Sequence, residues 1–197
     1  MGRVMVDSFL SAHRGQMPDA VWQQRVDEWT PDVSARAWAR TLADRAAGKA
    51  ARDVLLVADD DEGSLSALVS GSAADDDRSG SIAEIGALYV LPDRRGRGFG
   101  GSLLRAAASE LADLGFSALH LGVLTANLPA RGFYEAMGGR EIGRRTDDEE
   151  GYLLPVTVYG WSDITVLSGG SSGGRGDDAG PATVTPPRRS GTCDGGG

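Results

Sequence analysis

Between Arg94 and Gly101 the chain reads Arg-Arg-Gly-Arg-Gly-Phe-Gly-Gly, four glycines and three arginines in eight residues. Glycine reaches positive φ without steric cost and lets a ligand come close to main-chain N–H groups. The residues that follow are apolar at helical spacing, so these amides would stand at a helix N-terminus, unpaired and at the positive end of the dipole. That arrangement suits a phosphate or pyrophosphate, and the arginines add cationic reach. The plainer alternative is a solvated, flexible basic turn.

Gly96, Gly98 and Gly101 also satisfy the dinucleotide pattern G-x-G-x-x-G. That fingerprint opens directly off a strand and is followed about 20 residues later by a carboxylate for a ribose hydroxyl. Here Pro92 to Arg95 intervene, and the next apolar run ends in Leu124-Thr125-Ala126 without an acid. A phosphate-binding loop of the Gly-Lys-Ser/Thr type is absent from this turn as well.

Further candidates are sparser. Glu84 is the one charge in an otherwise apolar run from Ile82 to Val90. Asn127 with Pro129 marks a helix start, where the asparagine is a good N-cap by its own chemistry. His13 and His120 are the only histidines; neither joins ligand-type residues at metal spacing, so both read as surface or core residues and no metal is expected. Asp147-Asp148-Glu149-Glu150 reads as a solvated acidic turn that could attract a cationic amine.

The elements that must position these residues follow from periodicity. Val4 to about Lys49 reads helical, with breaks near Gly15, Pro18 and Pro31; Trp22, Val26 and Trp29 share one face, which reads first as core packing. Val54 to Ala58 and Ser64 to Gly71 read as antiparallel strands across a tight acidic turn. Ile82 to Val90 is apolar on both alternating faces, as a covered central strand must be. Ser102 to Leu114 is the clearest helix, with Leu103, Leu104, Ala107, Ala108, Leu111 and Leu114 on one face. Ala118 to Val123 reads as a strand parallel to the previous one, because a helical crossover joins them. A helix from Asn127 ends at Gly138-Gly139, and two strands follow, about Glu141 to Arg145 and Leu153 to Trp161.

Composition bounds the rest. The chain has 197 residues, 41% hydrophobic, enough for one core. No apolar run nears the length that crosses a bilayer and the N-terminus lacks a secretory pattern, so a cytoplasmic protein without membrane partner is expected. A net charge of −8 argues against nucleic acid as a partner. The single cysteine, Cys193, rules out an internal disulfide. From Ser168 onward Gly, Ser, Pro and charge dominate, which predicts a disordered tail.

The sequence as a whole resembles the GNAT superfamily of N-acetyltransferases. Arg95, Gly98 and Gly100, after Leu88-Tyr89-Val90-Leu91-Pro92, match its acetyl-CoA signature Arg/Gln-x-x-Gly-x-Gly/Ala. A second segment, Asn127-Leu128-Pro129-Ala130-Arg131-Gly132-Phe133-Tyr134-Glu135-Ala136-Met137-Gly138-Gly139, stands at the family-like distance. The resemblance implies that Arg95, Gly96, Arg97, Gly98, Gly100 and Gly101 cradle the CoA pyrophosphate. It gives Leu88 and Val90 main-chain contacts to pantetheine, where their strand splays from the next, and makes Asn127 either a pantetheine contact or simply the cap. It assigns Tyr134 to the CoA sulfur as proton donor. Glu84 becomes a general base acting through water, with an ion pair at a strand end as the alternative.

The implied fold class is α/β of the α+β type, a mixed, twisted sheet with helices on both faces. Family members normally begin with a strand, and here the first helix already occupies Val4, so the first strand is expected to be missing, with cost to stability rather than to binding. Residues 1–167 would be the acetyltransferase domain and 168–197 the tail. The implied function is transfer of acetyl from acetyl-CoA, a cosubstrate, to a primary amine of a small molecule or of a peptide or protein N-terminus. A non-catalytic acyl-CoA-binding module is the alternative; acetylation of aminoacyl-tRNA is disfavoured by the acidic charge. A homodimer is among the assemblies the family resemblance leaves open.

Overall fold

The computed structural model describes residues 1–149 and 151–168. Three helices come first: α1 (Gly2–His13), α2 (Asp19–Glu28) and α3 (Pro31–Ala46). The breaks fall where the sequence places them. Gly15 has φ of 76°, Pro18 caps α2, and Thr30 caps α3 by accepting a hydrogen bond from the Val33 amide with Pro31 at the first helical position. Among the described residues no strand precedes α1.

The chain then builds a six-stranded mixed sheet from β1 (Val54–Asp59), β2 (Leu65–Ala73), β3 (Ile82–Val90), β4 (Ala118–Leu124), β5 (Arg140–Glu149) and β6 (Tyr152–Trp161), in the order β1-β2-β3-β4-β6-β5. Only β3 and β4 are parallel, because α4 (Phe99–Asp113) crosses between them. The helix α5 (Leu128–Ala136) follows β4, and a short α6 (Thr165–Ser168) follows β6.

Two apolar clusters sandwich the sheet. On one face α4 buries Leu103, Leu104, Ala107, Ala108 and Leu111 against Val69, Ile85, Leu88 and Val90. Each buried leucine contributes on the order of 2 kcal/mol, which anchors the crossover. Leu114, expected on that face, is the exposed C-cap instead. On the other face α1 packs Val4, Met5 and Phe9 with Leu68, Ala87 and Tyr89. Trp22 and Trp29 pack against this second cluster, and Trp29 meets Phe9 edge-on at 4.9 Å between ring centroids.

Two expectations change. The helix after the glycine turn starts at Phe99 rather than Ser102, so the glycines form its first turn and cap. The acidic segment is not a solvated turn: Asp147 to Glu149 belong to β5, and Asp147 and Glu149 are buried. Strand alternation sends Arg145, Asp147 and Glu149 to one face, where Arg145 pairs with Asp147 at 3.0 Å and Arg25 of α2 pairs with Glu149. The guanidinium groups neutralise carboxylates that could not otherwise be buried. Glu150 and the expected tail beyond residue 168 lie outside the described residues.

Candidate active site

The parallel ladder between β3 and β4 holds Ile82↔Ala118, Ala83↔Leu119 and Glu84↔His120. Beyond Glu84 the strands part, while β3 continues to pair with β2 as far as Val90↔Ala67. A register shift on that side, where Gly71 faces Ile85 and Ser70 faces Ala87, bends β3 at the same point. The sheet therefore opens as a wedge between the C-terminal halves of two parallel strands, and α4 and α5 both start at its mouth. Open sheets bind ligands outside the C-terminal ends of such strands.

The residues of β3 meet the wedge with their main chain. The Leu91 amide donates to Ser66 O on β2 at 2.9 Å. By antiparallel alternation Leu88 and Val90 turn their N–H and C=O groups the other way, into the wedge. The Val90 carbonyl is already engaged, accepting from Ser8 Oγ at 2.9 Å and Arg95 Nε at 3.4 Å. Its N–H and both main-chain groups of Leu88 remain for an extended, amide-bearing ligand.

At the mouth, Gly96 and Gly98 have φ of 76° and 85°, which side-chain-bearing residues rarely adopt, and Gly98 is the left-handed N-cap of α4. The first intrahelical bond runs from Ser102 N to Gly98 O, so the amides of Phe99, Gly100 and Gly101 have no acceptor within the helix. Gly98 makes no side-chain cap, which leaves those donors to an external anion. Arg97 is exposed and forms no hydrogen bond or ion pair among the described residues. Arg95 is different: its guanidinium donates to Ser8 O and Ser11 Oγ, both at 3.2 Å. Burial pushes its pKa down to about 10. The arginine of the signature thus fastens α1 to the end of β3, and what it can offer the turn is its main chain.

Asn127 is 1% exposed and its Oδ1 accepts from the Ala130 amide at 3.2 Å, capping α5. Its Nδ2 is buried with no partner among the described residues. The two alternatives for Asn127 use different atoms of one side chain. Tyr134 lies two turns further along α5, fully buried, with its hydroxyl likewise unpartnered among the described residues. It belongs to the cluster under α4, yet burial and then Tyr89, from the opposite cluster, push its phenol upward. An unpartnered buried hydroxyl costs roughly 1–3 kcal/mol, which makes Tyr134 a candidate for a ligand contact.

Glu84 sits at the last rung of the ladder, one quarter exposed. Its Oε1 accepts from Arg145 Nη1 and Nη2, both at 3.4 Å, and its Oε2 lies 3.9 Å from His120 Nε2. Burial works against the Arg145 charge, but Asp147 and then Glu84 outweigh it, so its pKa is raised. A partly exposed pair of this kind is worth about 1 kcal/mol or less, so it orients the carboxylate more than it stabilises the fold.

Three members of the site escaped sequence reasoning. His120 is 8% exposed and stands across the last rung from Glu84. Arg145 lies over Gly122, where a Cβ would come within 2.9 Å of its Nη2. Asp147 holds Arg145 from the other side. The alternation of His120 with Gly122 and of Arg145 with Asp147 was readable, but the strand order that brings β3, β4 and β5 together was not. Among the described residues no group of three or more His, Cys, Asp or Glu side chains is placed to hold a metal ion. None of their helices is long and apolar enough to cross a membrane.

A wedge between two parallel strands with an uncapped, glycine-formed helix N-terminus at its mouth defines a GNAT-type acetyltransferase fold. The sequence model of the Acetyltransferase (GNAT) family matches residues 18–139, and the chain belongs to that family. Over 113 residues it is 29% identical to the uncharacterized N-acetyltransferase YuaI of Bacillus subtilis strain 168, covering 57% of this chain and 65% of that protein. Nourseothricin acetyltransferase is 25% identical with a TM-score of 0.50, over 55% of this chain and 64% of its own. The chain thus spans slightly less than two thirds of the length of these relatives. The PaiA N-acetyltransferase of Thermoplasma acidophilum, solved in complex with coenzyme A, shares the fold at 16% identity and a TM-score of 0.53, over 79% of this chain and 88% of its own.

Proposed function

We propose that residues 1–167 form an acyl-CoA-dependent N-acyltransferase that moves acetyl from acetyl-CoA to a primary amine of a small molecule or a peptide N-terminus. The observation that carries this reading is the pair of buried polar atoms without partners among the described residues, Asn127 Nδ2 and Tyr134 Oη, beside the wedge whose mouth carries the unpaired amides of α4. An acceptor for the Asn127 amide, a long amide-bearing arm and a diphosphate are what such a set would satisfy together, and CoA has the matching groups. The glycines at 96 and 98 give the turn its shape, and Gly100 and Gly101 keep the first turn of α4 open to an anion.

When bound, acetyl-CoA supplies an activated thioester. The protein's part is to hold it and to manage two protons. An alkylammonium with a pKa near 10.4 must lose a proton at pH 7, at a cost of roughly 4.6 kcal/mol. Glu84 is the proposed acceptor of that proton, oriented by Arg145 and reached through water. The free amine then attacks the carbonyl, the C–N bond forms, the C–S bond breaks, and the nitrogen gives up its second proton, which balances the one taken by the departing sulfur. Tyr134 stays protonated because burial disfavours its anion, so it is suited to give the departing sulfur a proton. Asn127 offers a donor to the pantetheine arm.

Calorimetric titration with acetyl-CoA, free CoA and NADH tests the cradle: saturable binding of both CoA species and none of NADH is expected. A panel of spermidine, tyramine, L-lysine and an alanine-starting peptide, followed by thiol release, tests transfer. CoA binding without thiol release on a broad range of amines would leave a binding module and remove the enzyme reading.

A further inference from the structure

His120 is unexplained by packing. It is 8% exposed, and its Nε2 is buried with no hydrogen-bond partner among the described residues. It faces two carboxylates at distances too long for direct hydrogen bonds, Glu84 Oε2 at 3.9 Å and Asp76 Oδ1 at 4.0 Å. One water or one amine nitrogen hydrogen-bonded to both atoms spans about 4.5 Å, so it enters between them once the side chains part by about half an ångström.

The surroundings fix which atom of Glu84 takes part. Arg145 approaches Oε1 from β5 and is itself held by Asp147, so Oε2 is the oxygen left facing β4. His120 is the direct partner of Glu84 on the last rung before the wedge opens. Asp76, on the loop before β3, is largely exposed and closes the third side. Gly122, two residues along β4 on the same face, leaves its Cβ space to the Arg145 guanidinium. The charged groups around the imidazole are thus Glu84 from β3, Asp76 from the loop, and Arg145 acting from β5 through Glu84.

We propose that His120 is a second proton-transfer residue of the amine site, sharing with Glu84 the water or amine nitrogen held between them. The inference rests on the acyltransferase reading and extends it by assigning a residue to the deprotonation step. The ammonium proton passes to the shared water, whose own proton goes to His120 Nε2 or to Glu84 Oε2. The amine keeps its lone pair for the carbonyl, and the proton leaves to solvent past Asp76. In proton balance, the acceptor nitrogen loses two: one before attack, to the water shared by His120 and Glu84 and then to solvent, and one as the adduct collapses, which restores the Tyr134 phenol after it has protonated the departing sulfur.

The test uses the full chain and whichever panel amine the wild type acetylates, with His120→Gln, Glu84→Gln and the double variant. His120→Gln is expected to lower kcat roughly 100-fold, with the KM for acetyl-CoA and the melting temperature little changed. The double variant should fall no further than the weaker of the two singles, since both lie on one proton path. Added imidazole should restore part of the rate to His120→Ala, a gain that a packing role would not produce. A His120→Gln enzyme within twofold of wild type, losses that multiply in the double variant, or no response to imidazole would overturn the assignment while the acyltransferase reading stands. A wild type that binds CoA but acetylates no amine would overturn both.

Discussion

Asn127 Oδ1 accepts the Ala130 amide at 3.2 Å while the Nδ2 of the same side chain is buried without a partner among the described residues. One atom caps a helix and the other is the donor proposed for CoA, so the two duties can be separated by substitution. Asn127→Ser retains a capping oxygen and removes the amide donor. It should melt near the wild type but bind CoA several-fold more weakly. Asn127→Ala loses both and should also cost about 1 kcal/mol of stability. Thermal melts with calorimetric Kd values check the pair; equal CoA affinity in all three proteins would assign Asn127 to capping alone.

Tyr134→Phe removes a buried hydroxyl that has no partner among the described residues. The folded protein should be no less stable and could gain, because an unsatisfied group disappears. If the hydroxyl protonates the sulfur, kcat should drop by about 10- to 100-fold with the acetyl-CoA KM nearly unchanged. Loss of stability without loss of rate would make Tyr134 a packing residue.

The glycines of the turn divide by what a methyl group would meet. At Gly98 nothing lies within 4 Å, but φ is 85°, so Gly98→Ala should cost about 1 kcal/mol through backbone strain. At Gly100 a Cβ would make ordinary contact with Phe133 at 3.5 Å. Gly100→Ala should therefore fold normally, and any weakening of CoA binding reports the close approach of the ligand. Chemical denaturation and CoA titration of both variants separate strain from occlusion.

Acid stability should carry the signature of His13. The ring is 2% exposed, and burial lowers its pKa to about 4; the Phe9 carbonyl partly offsets this and Arg95 adds to it. Above pH 6.5 the ring is neutral folded and unfolded, so stability is independent of it. As pH falls from 6.5 toward 4 the unfolded chain binds a proton that the folded chain refuses, and up to about 3 kcal/mol is lost. His13→Leu should flatten that part of the profile. Melting temperatures at pH 7 and 4.5 for the two proteins give the answer, and parallel declines would exclude His13 as the cause.

Much of the architecture was legible because local chemistry and burial pointed the same way. Leu103 to Leu111 repeat at helical spacing and do bury one face; β3 is apolar on both faces and is covered on both. The acidic stretch at 147–149 was misread for a physical reason: a run of carboxylates looks solvated until arginines from β5 and from the distant α2 are brought against it. The start of α4 was placed three residues late because glycine weakens helix patterns, although here it forms the cap.

The sequence by itself determined the turn chemistry, the helix caps and the apolar periodicities, since these depend on residues near one another in the chain. It also carried the two signatures that mark the family. Only the tertiary structure decided that β3 and β4 part after Glu84 and His120, that Arg145 reaches Glu84 across Gly122, and that Arg95 turns to α1. Those relations join residues up to 87 positions apart, and they depend on sheet order and register, which no local preference encodes.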